Sequence, residues 1–148
     1  MIAEKTYDKL DIACKQLNTA IDLFFKKTNH YSVITLAGAA EEILGRYMEL
    51  IGKQSSLTGI VKETALVHKH LYGEELPHKE FKMRENMARN SIKHLDSDED
   101  LTVTFDSEGE MIGMLVRATD NFYGLEIPET DQVKNFREWH KSNVGGGI

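Results

Sequence analysis

Apolar residues recur along this chain at steps of three and four, and only two prolines interrupt its 148 residues. Tyr7, Leu10, Cys14, Leu17, Ile21 and Phe24 form one unbroken stripe. Such spacing places side chains on one face of a 3.6-residue period, so residues 4–27 read as an amphipathic helix with a heptad-like seam. Val33, Leu36, Ala37, Ala40, Leu44, Tyr47, Met48 and Ile51 mark a second helix over 32–52. Asn29 and His30 read as the turn before it, Ser32 as its N-cap and Gly52 as the residue just past its end. After a polar loop at 53–57, Ile60, Val61, Ala65, Leu66 and Leu71 mark a third helix over 58–72. Pro77 sets up a fourth over 78–95. Asp106 or Ser107 caps a fifth over 107–124, whose apolar residues are Met111, Ile112, Met114, Leu115, Ala118, Phe122 and Tyr123. Beyond Pro128, a short last helix to Lys141 carries Phe136 and Trp139. Leu101 to Phe105 alternates with period two, but without a second strand it reads as an extended linker. The expected fold is all-α: a four- to five-helix up-and-down bundle with a short C-terminal helix. One domain covers residues 1–141, and 142–148 form a flexible tail.

Composition narrows the function classes. The single cysteine, Cys14, excludes an internal disulfide and sits on an apolar stripe, which fits a core residue and a reducing cytoplasm. No apolar run reaches the ~20 residues that span a bilayer, and the first residues lack a secretory pattern, so neither a membrane nor an export role is expected. A net charge of −6 argues against a general nucleic-acid binder while leaving room for a small basic cleft. Asp96, Asp98, Glu99 and Asp100 form an acidic run that would repel RNA if it lay near such a cleft. His68 and His70, two apart on a helix, point to different faces, and there is no His-Glu-x-x-His, so no metal site is expected. There is no glycine-rich phosphate loop.

The stretch Arg84 to Leu95 carries the chemistry-bearing residues. Its apolar members, Phe81, Met87, Ala88, Ser91, Ile92 and Leu95, mark the core side, which leaves Arg89, Asn90, Lys93 and His94 toward the other. Histidine titrates near neutral pH and can take or give a proton, while arginine presents a planar, permanently charged fork that fits phosphate oxygens. The residues leave alternatives open. His94 fits a solvated polar face as well as a site. Arg89 has a surface partner in Glu85, one turn before it. Glu41 and Glu42 are either two exposed helix acids, Glu42 pairing with Arg46, or include one carboxylate turned inward to hold Arg89 or His94. Arg117, Asn121 and Tyr123 are polar residues for a cleft edge or for anchoring in the core.

Arg89-Asn90 followed by His94 late in a long helix, with the stretch Leu36-Ala37-Gly38-Ala39-Ala40-Glu41-Glu42-Ile43-Leu44-Gly45-Arg46 before it, resembles the HEPN superfamily. The resemblance covers roughly residues 5–125, and its specific motif, Arg89 to His94, is six residues long. It implies a four-helix core, a homodimer with two motifs facing one cleft, and metal-independent, cofactor-free endoribonuclease activity. In that scheme His94 is the general base or acid, Arg89 stabilises the phosphorane and Asn90 orients groups. Lys93 adds charge, and Glu41 or Glu42 supports the site. The products would be a 2′,3′-cyclic phosphate and a 5′-hydroxyl. The resemblance further implies a cytoplasmic toxin or defence role with a neutralising protein partner. Other members of the superfamily are inactive. The same scaffold therefore also fits a non-catalytic module for dimerisation or protein binding, or a phosphate-gripping accessory.

Overall fold

The computed structural model describes residues 2–144. It contains seven α-helices: α1 (Lys9–Phe25), α2 (His30–Leu50), α3 (Ser56–Tyr72), α4 (His78–Glu85), α5 (Met87–Ser91), α6 (Ser107–Gly124) and α7 (Asp131–Val144). A 3-10 turn, Asp98–Asp100, lies between α5 and α6, and no strand occurs among the described residues. The all-α class follows from the helical periodicity of the sequence.

Short polar side chains fix where the helices start. Asp8 caps α1 by accepting from the Asp11 N–H at 2.9 Å. Asn29, read from the sequence as part of a turn, is the N-cap of α2: its amide oxygen accepts from the N–H groups of Tyr31 and Ser32. His30 is therefore the first residue of α2, and Ser32 is not its cap. Asn reaches two orphan N–H groups from one position, which places the start two residues earlier than the hydroxyl signal suggested. Ser55 caps α3 and Asp106 caps α6. Gly52 (φ 79) follows α2 and Gly73 (φ 69) ends α3, both in the left-handed region that glycine enters without steric cost.

The core lies where α2 runs between α1 and α6, the two helices it packs against most extensively. Leu17 and Ile21 of α1, Ile34 and Leu44 of α2, and Leu115 and Phe122 of α6 are fully buried there. α7 closes one side through Val133 and Phe136. Phe24 meets Phe136 and Trp139 edge-on, with ring centroids 5.4 and 4.7 Å apart. Cys14 is half-buried beside this core, and burial pushes its thiol upward.

Four further expectations are corrected. The helix expected over 78–95 is divided at Asn86 and ends at Ser91, because its first part buries nothing and an unburied helix gains no tertiary support. Met87 and Leu95, assigned to the core side, are 40% and 66% exposed. Tyr7 lies ahead of α1 and is exposed, so the first stripe begins at Leu10. α7 continues to Val144, which moves the end of ordered helix past Lys141, while residues 145–148 of the expected tail lie outside the described residues.

Candidate functional site

The middle of α2 presents Gly38, Glu41 and Gly45 at steps of three and four, so all three share one stripe. That stripe faces α5 and α6. The glycines act by size: a Cβ at Gly38 would lie 2.5 Å from Arg89 Cδ, and one at Gly45 would lie 2.8 Å from Asn121 Nδ2. Between them Glu41, only 3% exposed, projects into the space where the three helices meet.

Glu41 is held by two arginines. Arg89 Nη1 donates to its Oε2 at 3.0 Å, and Arg117 Nη2 donates to its Oε1 at 2.8 Å. Both guanidinium side chains are buried, 9% and 5% exposed. Arg117 also donates to Asn86 Oδ1 at 2.9 Å and to the Glu85 carbonyl at 3.2 Å. The fully buried Asn121 donates through Nδ2 to the Glu41 carbonyl at 3.2 Å and accepts the Ser56 N–H at 2.8 Å. One carboxylate between two cations leaves the cluster one positive charge in excess. The nearest further carboxylate, Glu42, stands 3.9 Å from Arg89 Nη1 and is 64% exposed. Nε of Arg89 and of Arg117 are buried without a hydrogen-bond partner among the described residues.

The Arg89 side of this cluster opens on a cleft of about 340 Å³. Glu42, Arg46, Glu49, Thr58 and Lys82 form its rim. Glu49 accepts from the hydroxyls of Thr58 and Ser55, and these bonds, Thr58 first, hold its carboxyl below the usual range against the opposing effect of burial. Arg46 pairs with Glu49 at 3.7 Å rather than with Glu42.

The residues singled out in the sequence divide into two groups. Glu41, Glu42 and Arg89 come together at the cleft, with Glu41 the inward carboxylate and Arg89 its partner. The assignment of Arg89 to the polar face is thereby corrected: Ala88 and Arg89 are the two buried residues of α5. Arg89 bonds Glu41 across 48 residues of sequence, not Glu85 one turn away. Asn90, Lys93 and His94 are exposed and do not line the cleft. His94 lies in coil three residues beyond the end of α5, with no side-chain hydrogen bond among the described residues. Arg117 and Asn121, an i,i+4 pair on the apolar side of α6, are core anchors, while Tyr123 is half-buried and donates to Glu129 at 2.6 Å. Asn86 and Gly45 carried no separate signal; the Gly38, Glu41, Gly45 spacing was the one available pointer to them.

Among the described residues, no group of three or more His, Cys, Asp or Glu side chains is placed to hold a metal ion. No described helix is long and apolar enough to cross a membrane. Compared with protein-family models, curated proteins and solved structures, the chain matches none.

Proposed function

We propose that this chain is a non-catalytic helical module on a HEPN-like scaffold, acting by dimerisation or by holding a protein partner. One observation carries the reading: the Arg89 guanidinium is buried against the Glu41 carboxylate at 3.0 Å. An arginine that stabilises a phosphorane must present its fork to the substrate. Here it would first leave a buried carboxylate that keeps Arg117 as its partner, giving up about one charge-assisted hydrogen bond, ~1.5–3 kcal/mol, or about one to two decades in affinity. The net charge of −6 adds no attraction for a polyanion. The test is incubation of wild type and His94→Ala with total RNA in chelator. The expected result is no cleavage by either. Cleavage by wild type that His94→Ala abolishes would overturn the reading.

That outcome would instead support a metal-independent endoribonuclease acting as a homodimer. One observation favours this second reading: Asn90, Lys93 and His94 are exposed within five residues of each other. There His94 would move the proton, Lys93 would supply the accessible charge, and Arg89 would position the segment. Growth arrest on expression in a bacterium, relieved by His94→Ala, would mark the toxin role that this reading carries.

A further inference from the structure

α3 has two apolar faces, and the bundle uses one. Leu57, Val61 and Ala65 are buried against the body of the protein. Leu66, Val67 and Leu71 are 69%, 57% and 64% exposed. At ~100° per residue, with Leu66 set to zero, Val67 falls near 100° and Leu71 near 140°, while Ala65 and Val61 fall near −100° and −140°. Glu63 and His70 fall near 60° and 40°, along the middle of the outer face. Three branched aliphatics opposite a packed face are more than the scattered exposure that any surface shows. Two polar groups in the middle of this face are also unspent. Lys69 is taken by Glu75 at 2.7 Å, and Lys62 donates to Gln54 at 3.3 Å. Glu63 and His70 have neither an ion pair nor a side-chain hydrogen bond among the described residues.

We infer that this face pairs with the same face of a second copy of the chain, helix against helix and antiparallel. The inference rests on the reading of the chain as an interaction module and names its partner. The face is its own complement. A two-fold axis between Leu66 and Val67 places these residues against their counterparts, and sets Glu63 beside the partner's His70 and His70 beside the partner's Glu63. Parallel pairing would set Glu63 on Glu63, which like-charge repulsion disfavours. The reciprocal contact of a Glu63 carboxylate that accepts with a His70 imidazole N–H that donates, made twice about the axis, together with the avoided Glu63–Glu63 repulsion, selects both the occupant and its direction. α3 is 17 residues, about 26 Å, and one helix pair buries less than the ~1,200 Å² of a stable interface, so the association is weak and concentration-dependent.

The test uses the full chain in sedimentation equilibrium from about 10 μM to 1 mM, a range chosen for the weak end of protein affinities. The mass should rise from monomer toward dimer, and Leu66→Glu should raise the dissociation constant at least about tenfold with unchanged circular dichroism. Orientation is read by cross-linking in a Cys14→Ser background under mild oxidation. Leu66→Cys should form a disulfide dimer, because its two copies meet at the axis. Leu71→Cys should not, because its copies lie about nine residue rises, or ~14 Å, apart, twice what a disulfide spans. A monomer at every concentration overturns the pairing. So does a dimer indifferent to Leu66→Glu, or equal cross-linking at the two positions. Each of these removes the pairing alone, whereas RNA cleavage lost in His94→Ala would remove the reading beneath it.

Discussion

Removing Glu41 should damage the protein more than removing Arg89, although the two form one ion pair. Glu41→Ala takes away the carboxylate that both arginines share, and leaves Arg117, 5% exposed, with no carboxylate and Arg89, 9% exposed, with only the exposed Glu42 at 3.9 Å. Losing one partner of a buried pair costs about 3–5 kcal/mol, chiefly because the remaining charge is stranded. Arg89→Ala strands nothing: Glu41 keeps Arg117 at 2.8 Å, and water from the cleft can reach the vacated side. Its cost is about one charge-assisted hydrogen bond, ~1.5–3 kcal/mol. With a urea slope near ~2 kcal/mol/M, the midpoint should fall by about 1.5–2.5 M for Glu41→Ala and by about 0.8–1.5 M for Arg89→Ala. The double variant should cost less than the sum, with a coupling of about 0.5–3 kcal/mol. Urea unfolding followed by circular dichroism measures all three. An Arg89→Ala midpoint at or below that of Glu41→Ala would refute the shared-anion argument. An Arg89→Ala variant as stable as wild type would refute the structural role of Arg89 and return its guanidinium to solvent chemistry.

Gly45→Ala places a methyl 2.8 Å from Nδ2 of the fully buried Asn121, which is already bonded at both ends of its amide, so it should lower stability by about 1–3 kcal/mol. A variant as stable as wild type in the same urea titration would show that α2 and α6 have slack at this crossing. Glu49→Gln should be less stable than wild type at neutral pH, because the hydroxyls of Thr58 and Ser55 hold the folded carboxyl below its unfolded value. A depressed carboxyl stabilises above its unfolded pKa, about 4.3, and loses that contribution as pH falls through the folded value, so the two midpoints should converge below about pH 4. A gap unchanged between pH 7 and 3 would contradict this. Asn29→Ala removes the oxygen that accepts from Tyr31 and Ser32, and thermal unfolding should register a loss of about 1 kcal/mol; no loss would mean that another group caps α2.

The long helices were legible because burial and periodicity agree in them. Leu10, Leu17, Ile21 and Phe24 repeat at helical steps and face the same neighbours. The start of α2 was misplaced because two capping residues, Asn29 and Ser32, stand three apart and sequence pattern does not decide between them. The motif segment was misread for a deeper reason. Periodicity sorts residues by polarity, and it sends Arg89 to the solvent side. An arginine belongs inside only when a specific carboxylate waits for it, and Glu41 stands 48 residues earlier in the chain. The pattern on α2 held half of that information: an acid between two glycines on one stripe of the helix.

The same observation explains why the segment carrying Arg89 docks at all. α4 buries no residue, and α5 buries only Ala88 and Arg89, with Asn86 buried at the break between them. One alanine contributes little by burial, since about 25 cal/mol per Å² over so small a side chain amounts to ~1 kcal/mol or less. Ile92, half-buried against the core at the end of α5, adds one apolar contact, and the remaining attachment is polar and directional: Arg89 to Glu41 on α2, and Asn86 and the Glu85 carbonyl to Arg117 on α6. These bonds can be made in only one register of α5 against the two helices, whereas an apolar contact would tolerate a slide. Taking Arg89 out to meet a ligand would therefore release the segment that presents Asn90, Lys93 and His94. An arginine that both holds this helix and leaves it to contact a substrate would have to do two incompatible things, which is why its burial weighs on the side of a scaffold.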